Sequence, residues 1–166
     1  MERNNILQAV NIRLAKPGEA SYISYLHMKV YQELYQFRPI FEYYLLKGLS
    51  EFLHNSAGSE LWVTEAEGKI VGSIAVVKSD EKGTAQLRWF VLDSQYQGLG
   101  IGRKLMQTAL QFCKGAGYKR VFLWTVDILK AARHIYSSNG FQLTGEKAND
   151  EWADKTIIEE RWELWL

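Results

Sequence analysis

The sequence predicts an α/β (α+β) fold, with a mixed central sheet of about seven strands and helices on both faces. The expected order is β-α-α-β-β-β-α-β-α-β-β. Three observations carry this. Two stretches of helical periodicity follow the first strand-like run. Three strand-like runs separated by short turns then form a meander, which implies antiparallel pairing. Finally, a glycine-rich junction joins the last of these strands to a long amphipathic stretch, after which strands and helices alternate.

Val10 to Leu14 alternates apolar and polar residues and reads as the first strand. Pro17-Gly18-Glu19 breaks it and can open a helix. From Ser21 to Tyr35, Ile23, Leu26, Val30 and Leu34 recur at helical spacing, and His27, Tyr31 and Tyr35 form a second stripe at i, i+4, i+8. Pro39 starts another helix, with Phe41, Leu45, Leu49 and Phe52 on one side, ending near His54-Asn55-Ser56-Ala57-Gly58. Leu61 to Ala66, Ile70 to Val77 and Ala85 to Leu92 form the meander, joined by turns at Glu67-Gly68 and at Asp80 to Gly83. Simple alternation places Gln86, Arg88, Phe90 and Leu92 on one face of its third strand, and Leu87, Trp89 and Val91 on the other.

A helix from Ile101 to Phe112 is expected to bury Ile101, Leu105, Ala109, Phe112 and Cys113, and to stop at Gly115-Ala116-Gly117. Arg120 to Val126 is dense in apolar, β-forming residues, as a strand covered on both faces would be. Leu129 to Ser138 reads as a short helix stopped by Asn139-Gly140. Phe141 to Thr144 is a strand, Glu146 to Lys155 a polar loop, and Thr156 to Leu166 the last strand.

Composition bounds the function. With 47% hydrophobic and 23% charged residues, the chain is an ordinary globular one, expected to form a single domain over residues 1–166. A net charge of +1 with dispersed Lys and Arg argues against a nucleic-acid partner. The single Cys113 excludes an internal disulfide and a multi-cysteine zinc site; no metal is expected. No apolar run reaches the ~20 residues of a membrane span, so no membrane partner is expected. The opening Met1-Glu2-Arg3-Asn4-Asn5 lacks the apolar core of a secretion signal, and the expected location is cytoplasmic.

The most informative stretch is Gln97-Gly98-Leu99-Gly100-Ile101-Gly102-Arg103-Lys104. Glycines at alternate positions let backbone N–H groups approach a ligand closely. The helix that follows adds its unpaired N–H groups and the positive end of its dipole, which together suit a phosphate or another anion. The dinucleotide fingerprint fails, because its third glycine falls on Arg103 or Leu105, and the P-loop spacing fails as well. A nucleotide-binding domain of another kind is therefore disfavoured.

Gln97-x-x-Gly100-x-Gly102 instead resembles the pyrophosphate loop of the GNAT (Gcn5-related) N-acetyltransferases, and Ala132-Arg133-His134-Ile135-Tyr136-Ser137-Ser138-Asn139-Gly140-Phe141 resembles that family's Ala-x-x-x-Tyr-x-x-x-Gly-Phe segment. The element order is also that of the GNAT fold. Leu87-Arg88-Trp89-Phe90 and Leu123-Trp124-Thr125 are further similar to the acetyltransferase domain of bacterial MarR-type regulator fusions.

The resemblance implies an acetyl-CoA-dependent N-acetyltransferase that acts on a primary amine of a small molecule. A non-catalytic acyl-CoA-binding module is the alternative. It implies that the backbone of Phe90, Val91 and Leu92 pairs with the pantetheine arm, beside a strand bulge that sequence does not reveal. It also implies that Gln97, Gly98, Leu99, Gly100, Ile101 and Gly102, with Arg103 and Lys104, hold the pyrophosphate. Tyr136 would supply a proton to the departing thiolate; its other reading is a half-buried aromatic. Two positions depart from the family pattern: Gln86 stands where many relatives have a glutamate base, and Leu129 where many have asparagine. The base is left open. Arg88 could pair with an acidic group on the acceptor or form a surface salt bridge. His27, Tyr31 and Tyr35 are either packing or a wall of the acceptor pocket. Trp152, Trp162 and Trp165 crowd the C-terminus as packing or a dimer seam, which leaves monomer and homodimer both open.

Overall fold

A computed structural model describes residues 10–166. The opening Met1 to Asn5, read above for a secretion signal, lies outside them. The order of elements is β1 (Val10–Leu14), α1 (Glu19–Tyr35), α2 (Ile40–His54), β2 (Glu60–Ala66), β3 (Lys69–Lys78), β4 (Thr84–Leu92), a 3-10 turn (Ser94–Tyr96), α3 (Ile101–Gly115), β5 (Arg120–Val126), α4 (Lys130–Ser138), β6 (Gln142–Asn149) and β7 (Ile157–Trp165). One sheet of seven strands runs β1-β2-β3-β4-β5-β7-β6. Every neighbour is antiparallel except β4 and β5, which are parallel. That pair is joined through α3, since a parallel connection needs a crossover.

Two cores sandwich the sheet. On one face, Phe41, Leu45, Leu49 and Phe52 of α2 and Ile23 of α1 pack on Leu61, Val63 and Trp89. On the other, Ile101, Leu105, Met106, Ala109 and Cys113 of α3 pack on Trp62, Ile74, Leu87 and Val121. Alternation within β2 makes the division: Leu61 and Val63 face one core and Trp62 the other. Glu67 and Gly68, both with positive φ, close the β2–β3 hairpin. Cys113 is fully buried, and burial pushes its thiol up to about 12, so it is a packing residue. No helix among the described residues is long and apolar enough to cross a membrane.

Three expectations are corrected. Leu34 continues the helical stripe of α1 but is 45% exposed, because it stands one residue before the helix ends at Tyr35, where Gln36 turns the chain in the left-handed region. The polar loop expected from Glu146 is strand as far as Asn149. Its residues pair with β7 as the outermost strand, so their polarity reflects exposure on a sheet edge rather than a loop. The alternation expected along β4 breaks at Trp89, with consequences for the site.

Candidate active site

The β3–β4 register runs Gly72↔Leu92 and Ser73↔Val91, then Ala75↔Arg88, so β4 carries one extra residue. Trp89 sits at this bulge with φ 47°, a left-handed conformation that strains a non-glycine residue by about 1–3 kcal/mol. Its carbonyl accepts a 2.6 Å hydrogen bond from the buried Ser73 hydroxyl. Before the bulge, Ala85 and Leu87 face the α3 core. After it, Phe90 and Leu92 face that core, while Trp89 packs edge-on against Phe52 on the α2 side. Gln86, Arg88, Trp89 and Val91 therefore share the α1/α2 side, contrary to simple alternation.

The bulge also splays the sheet. β4 pairs with β5 only over Thr84–Leu87, opposite Arg120–Leu123. Beyond that point β5 continues with β7 and β4 with β3. The edge of Arg88 to Leu92 that faces β5 is left without a strand partner, ready to accept an extended chain of amide groups.

From that edge a cleft of about 480 Å³ runs to the glycine corner, along Val91, Leu92, Gln97, Gly98, Gly100 and Arg103. Gly98 and Gly100 have φ of 74° and 81°, and a Cβ at either would meet nothing within 4 Å. They are thus required for the turn, and the corner is open rather than plugged by side chains. Gly100 caps α3 with no side chain bonded to the helix end, and the first helical bond runs from Lys104 N–H to the Gly100 carbonyl. The N–H groups of this first turn, ahead of Lys104, have no intrahelical acceptor and lie at the glycine end of the cleft, as an anion would require. Gly102 serves closeness instead: a Cβ there would stand 3.0 Å from Ile135 and 3.5 Å from Phe90. The loop is held by Gln97 Nε2, which donates to the Leu92 carbonyl at 3.0 Å, and by Asp93, which caps the 3-10 turn and reaches Lys29 of α1 at 3.6 Å.

A second cleft, of about 430 Å³, lies on the α1/α2 side. Its walls include His27, Tyr31, Phe41, Arg88, Trp152 and Tyr136. Tyr31, Phe90 and Leu129 line both clefts, so the two meet there. Tyr31 stacks on Phe41 at 5.3 Å, and Phe41 packs on Trp152 at 5.1 Å. Tyr136 is 5% exposed among Phe90, Phe141 and Trp162. Burial pushes its phenol above the ordinary range, against a small opposing pull from the neighbouring Thr125 hydroxyl, and the same desolvation acts on Tyr31. Both stay protonated at neutral pH. Burial pushes His27 down to about 4, and its Nδ1 donates to the Ile23 carbonyl at 3.1 Å, so the neutral ring keeps Nε2 as an acceptor.

The structure thus gathers Phe90, Val91, Leu92, Gln97, Gly98, Gly100, Gly102 and Arg103 along one cleft, and His27, Tyr31, Arg88 and Tyr136 along the other. Leu99 and Ile101 turn their side chains into the core, and Lys104 is exposed outside the lining set, so these three can contribute backbone or distant charge only. Arg88 forms no ion pair among the described residues, which removes the surface salt bridge. Tyr35 lines the first cleft rather than the second. Trp162 is packing, its Nε1 donating to Glu160 at 3.0 Å, while Trp165 is 72% exposed beneath Arg120.

Sequence reasoning missed three residues. His134 lines the first cleft; lying two residues before Tyr136 in a short helix, it was legible only once the groove direction was known. Glu51 and Glu159 supply carboxylates to the second cleft. Glu159 and Glu160 are adjacent on β7 and face opposite sides: Glu159 accepts from Asn149 at 2.8 Å, and Glu160 meets Arg133 at 2.9 Å. No group of three or more His, Cys, Asp or Glu that could hold a metal occurs among the described residues.

The model of the Acetyltransferase (GNAT) family matches residues 22–141. N-acetyltransferase 8 of Rattus norvegicus is 42% identical over 97 residues, covering 56% of this chain and 44% of its own. N-acetylaspartate synthetase of Xenopus tropicalis is 32% identical over 100 residues, covering 60% and 37% respectively. The chain therefore spans less than half the length of these relatives. Among solved structures, a putative acetyltransferase of Salmonella typhimurium with acetyl-CoA superposes with a TM-score of 0.76 at 17% identity, covering 95% of this chain and 94% of that one. A Streptococcus pneumoniae acetyltransferase of the GNAT family gives 0.74 at 20% identity, covering 95% and 99%. With the family model spanning both the splayed strand and the Tyr136 segment, the chain belongs to the GNAT acetyltransferase family.

Proposed function

We propose that this chain transfers the acetyl group of acetyl-CoA to a primary amine of a small molecule. The observation that carries this is the meeting of the two clefts at Tyr31, Phe90 and Leu129, with Tyr136 lining the second of them. The first cleft fits the carrier: an unpaired strand edge for its amide arm, and a glycine corner at a helix start for its pyrophosphate. The printed names of the relatives, N-acetyltransferase and N-acetylaspartate synthetase, support nitrogen as the acetylated atom. Likeness to the acetyltransferase domains of MarR-type fusions belongs to the same reading.

When bound, acetyl-CoA supplies an activated carbonyl. The chain's own residues do the rest. The aromatic walls hold the acceptor and exclude water. Tyr136, kept protonated by burial, holds the proton that the departing sulfur needs. Gln86 lines the acceptor cleft and cannot take a proton from the amine. That task falls to a water held in the cleft or to one of its carboxylates, of which Glu159 is already engaged by Asn149 and Lys147.

Thermal shift with acetyl-CoA, CoA, NAD and ATP, followed by thiol release with an amine panel, tests the proposal. Stabilisation by acetyl-CoA and CoA, and thiol release with at least one amine, are expected. Stabilisation by NAD or ATP alone would refute it. Gln86 and Leu129, at the two positions that depart from the family pattern, favour the second reading, a non-catalytic acyl-CoA-binding module. That reading predicts CoA binding with no thiol release from any amine.

A further inference from the structure

We propose that the acceptor carries a carboxylate, docked on Arg88, and an apolar side chain; it is an amino acid rather than a simple amine. This rests on the acetyltransferase reading. Arg88 lies on β4 just before the bulge, half-buried, and desolvation lowers its pKa. Its guanidinium stacks over Trp89 at 4.8 Å, an arrangement open to adjacent residues only because the bulge turns both side chains to one face. It finds no carboxylate partner among the described residues; Glu51 acts on it only at a distance. A half-buried guanidinium that lines the cleft without a carboxylate partner is available to pair with an anionic group on a ligand.

The fold also clears room for this group. A Cβ on Gly48 of α2 would lie 2.4 Å from an Arg88 terminal nitrogen, so the guanidinium rests against that helix in a place that a larger residue would push it out of. The forked donors of a guanidinium match a carboxylate, whose two oxygens accept in parallel.

Two further features fix the rest of the molecule. Arg88 and Phe90, where the clefts meet, are two residues apart across the bulge and both line the second cleft. Carboxylate and amine must then belong to one compact molecule. Around them stand Tyr31, Phe37, Phe41 and Trp152, which give the side chain an apolar wall.

The test pairs acceptors that differ only in the carboxylate: phenylalanine against phenylalaninamide and 2-phenylethylamine, and leucine against 3-methylbutylamine, with thiol release as the readout. Wild type is expected to lose on the order of 10²-fold in kcat/KM when the carboxylate is removed. Arg88→Gln should impose a similar loss on phenylalanine, mainly through KM, and little on 2-phenylethylamine; Arg88→Lys should restore part of it. Equal turnover of the paired acceptors by wild type overturns the inference without needing any variant to fold, and equal losses on both acceptors in Arg88→Gln overturn it as well. In either case the acetyltransferase reading stands. No thiol release with any amine removes that reading and this inference together.

Discussion

Replacing Ser73 by alanine probes how the β4 bulge is held. The Ser73 hydroxyl is fully buried and donates to the Trp89 carbonyl at 2.6 Å, at the residue whose φ is 47°. Removing the donor leaves a buried carbonyl without that partner, a penalty of about 1–3 kcal/mol. It also removes the bond that opposes the strain at Trp89, itself about 1–3 kcal/mol. If β4 relaxes toward regular pairing, every side chain from Trp89 to Leu92 moves to the opposite face. Trp89 then leaves Phe52, and the free edge beside the first cleft is rebuilt. The expected result is a drop in unfolding free energy of about 1–3 kcal/mol in urea. It should come with a loss of more than about tenfold in both acetyl-CoA affinity and kcat/KM, tenfold being about 1.4 kcal/mol. Urea titration, calorimetric binding of acetyl-CoA and steady-state kinetics measure the three. A variant that is less stable by this amount yet binds and turns over normally would refute the reasoning, because the bulge would then be held by other contacts.

Gly100→Ala should weaken acetyl-CoA binding with little crowding, since no atom lies within 4 Å of the added carbon and the whole effect is the strain of φ 81°, about 1–2 kcal/mol; calorimetry of acetyl-CoA binding checks this. Tyr136→Phe should keep acetyl-CoA affinity and lose about 10²–10⁴-fold in kcat, and unchanged turnover with a good acceptor would remove its acid role. His27→Ala should raise the acceptor KM while acetyl-CoA affinity holds. His27 also makes stability pH-dependent. Its pKa falls from 6.5 to about 4 on folding, so the unfolded chain binds the proton more tightly and stability declines as pH drops from 6.5 toward 4. The contribution amounts to roughly 3 kcal/mol at most, by the ~1.4 kcal/mol per pH unit of linkage. His27→Gln should flatten that part of the urea-midpoint profile against pH.

Much of the geometry of the candidate site is legible in the sequence. Gly98 and Gly100 announced their conformation, because few other residues tolerate positive φ, and the helix after them announced a row of free N–H groups. The tyrosine of the short helix was singled out by the resemblance of Ala132 to Phe141 to the GNAT family's Ala-x-x-x-Tyr-x-x-x-Gly-Phe segment. Glu51 and Glu159 were not legible. They sit on α2 and β7, far apart in the chain, and only the sandwich brings them to one cleft. Arg88 was found as a candidate, but the choice between a surface salt bridge and a ligand needed the surroundings of its guanidinium.

By itself the sequence determined the element order, the two-sided sheet and the open glycine corner, because those follow from periodicity and from the steric limits of single residues. Tertiary structure alone decided the bulge at Trp89, and with it which side chains of β4 face the second cleft. A bulge is a difference in length between two paired strands, held by a bond from Ser73, sixteen residues away. No local pattern in either strand encodes it, so its position emerges only when the strands are laid side by side.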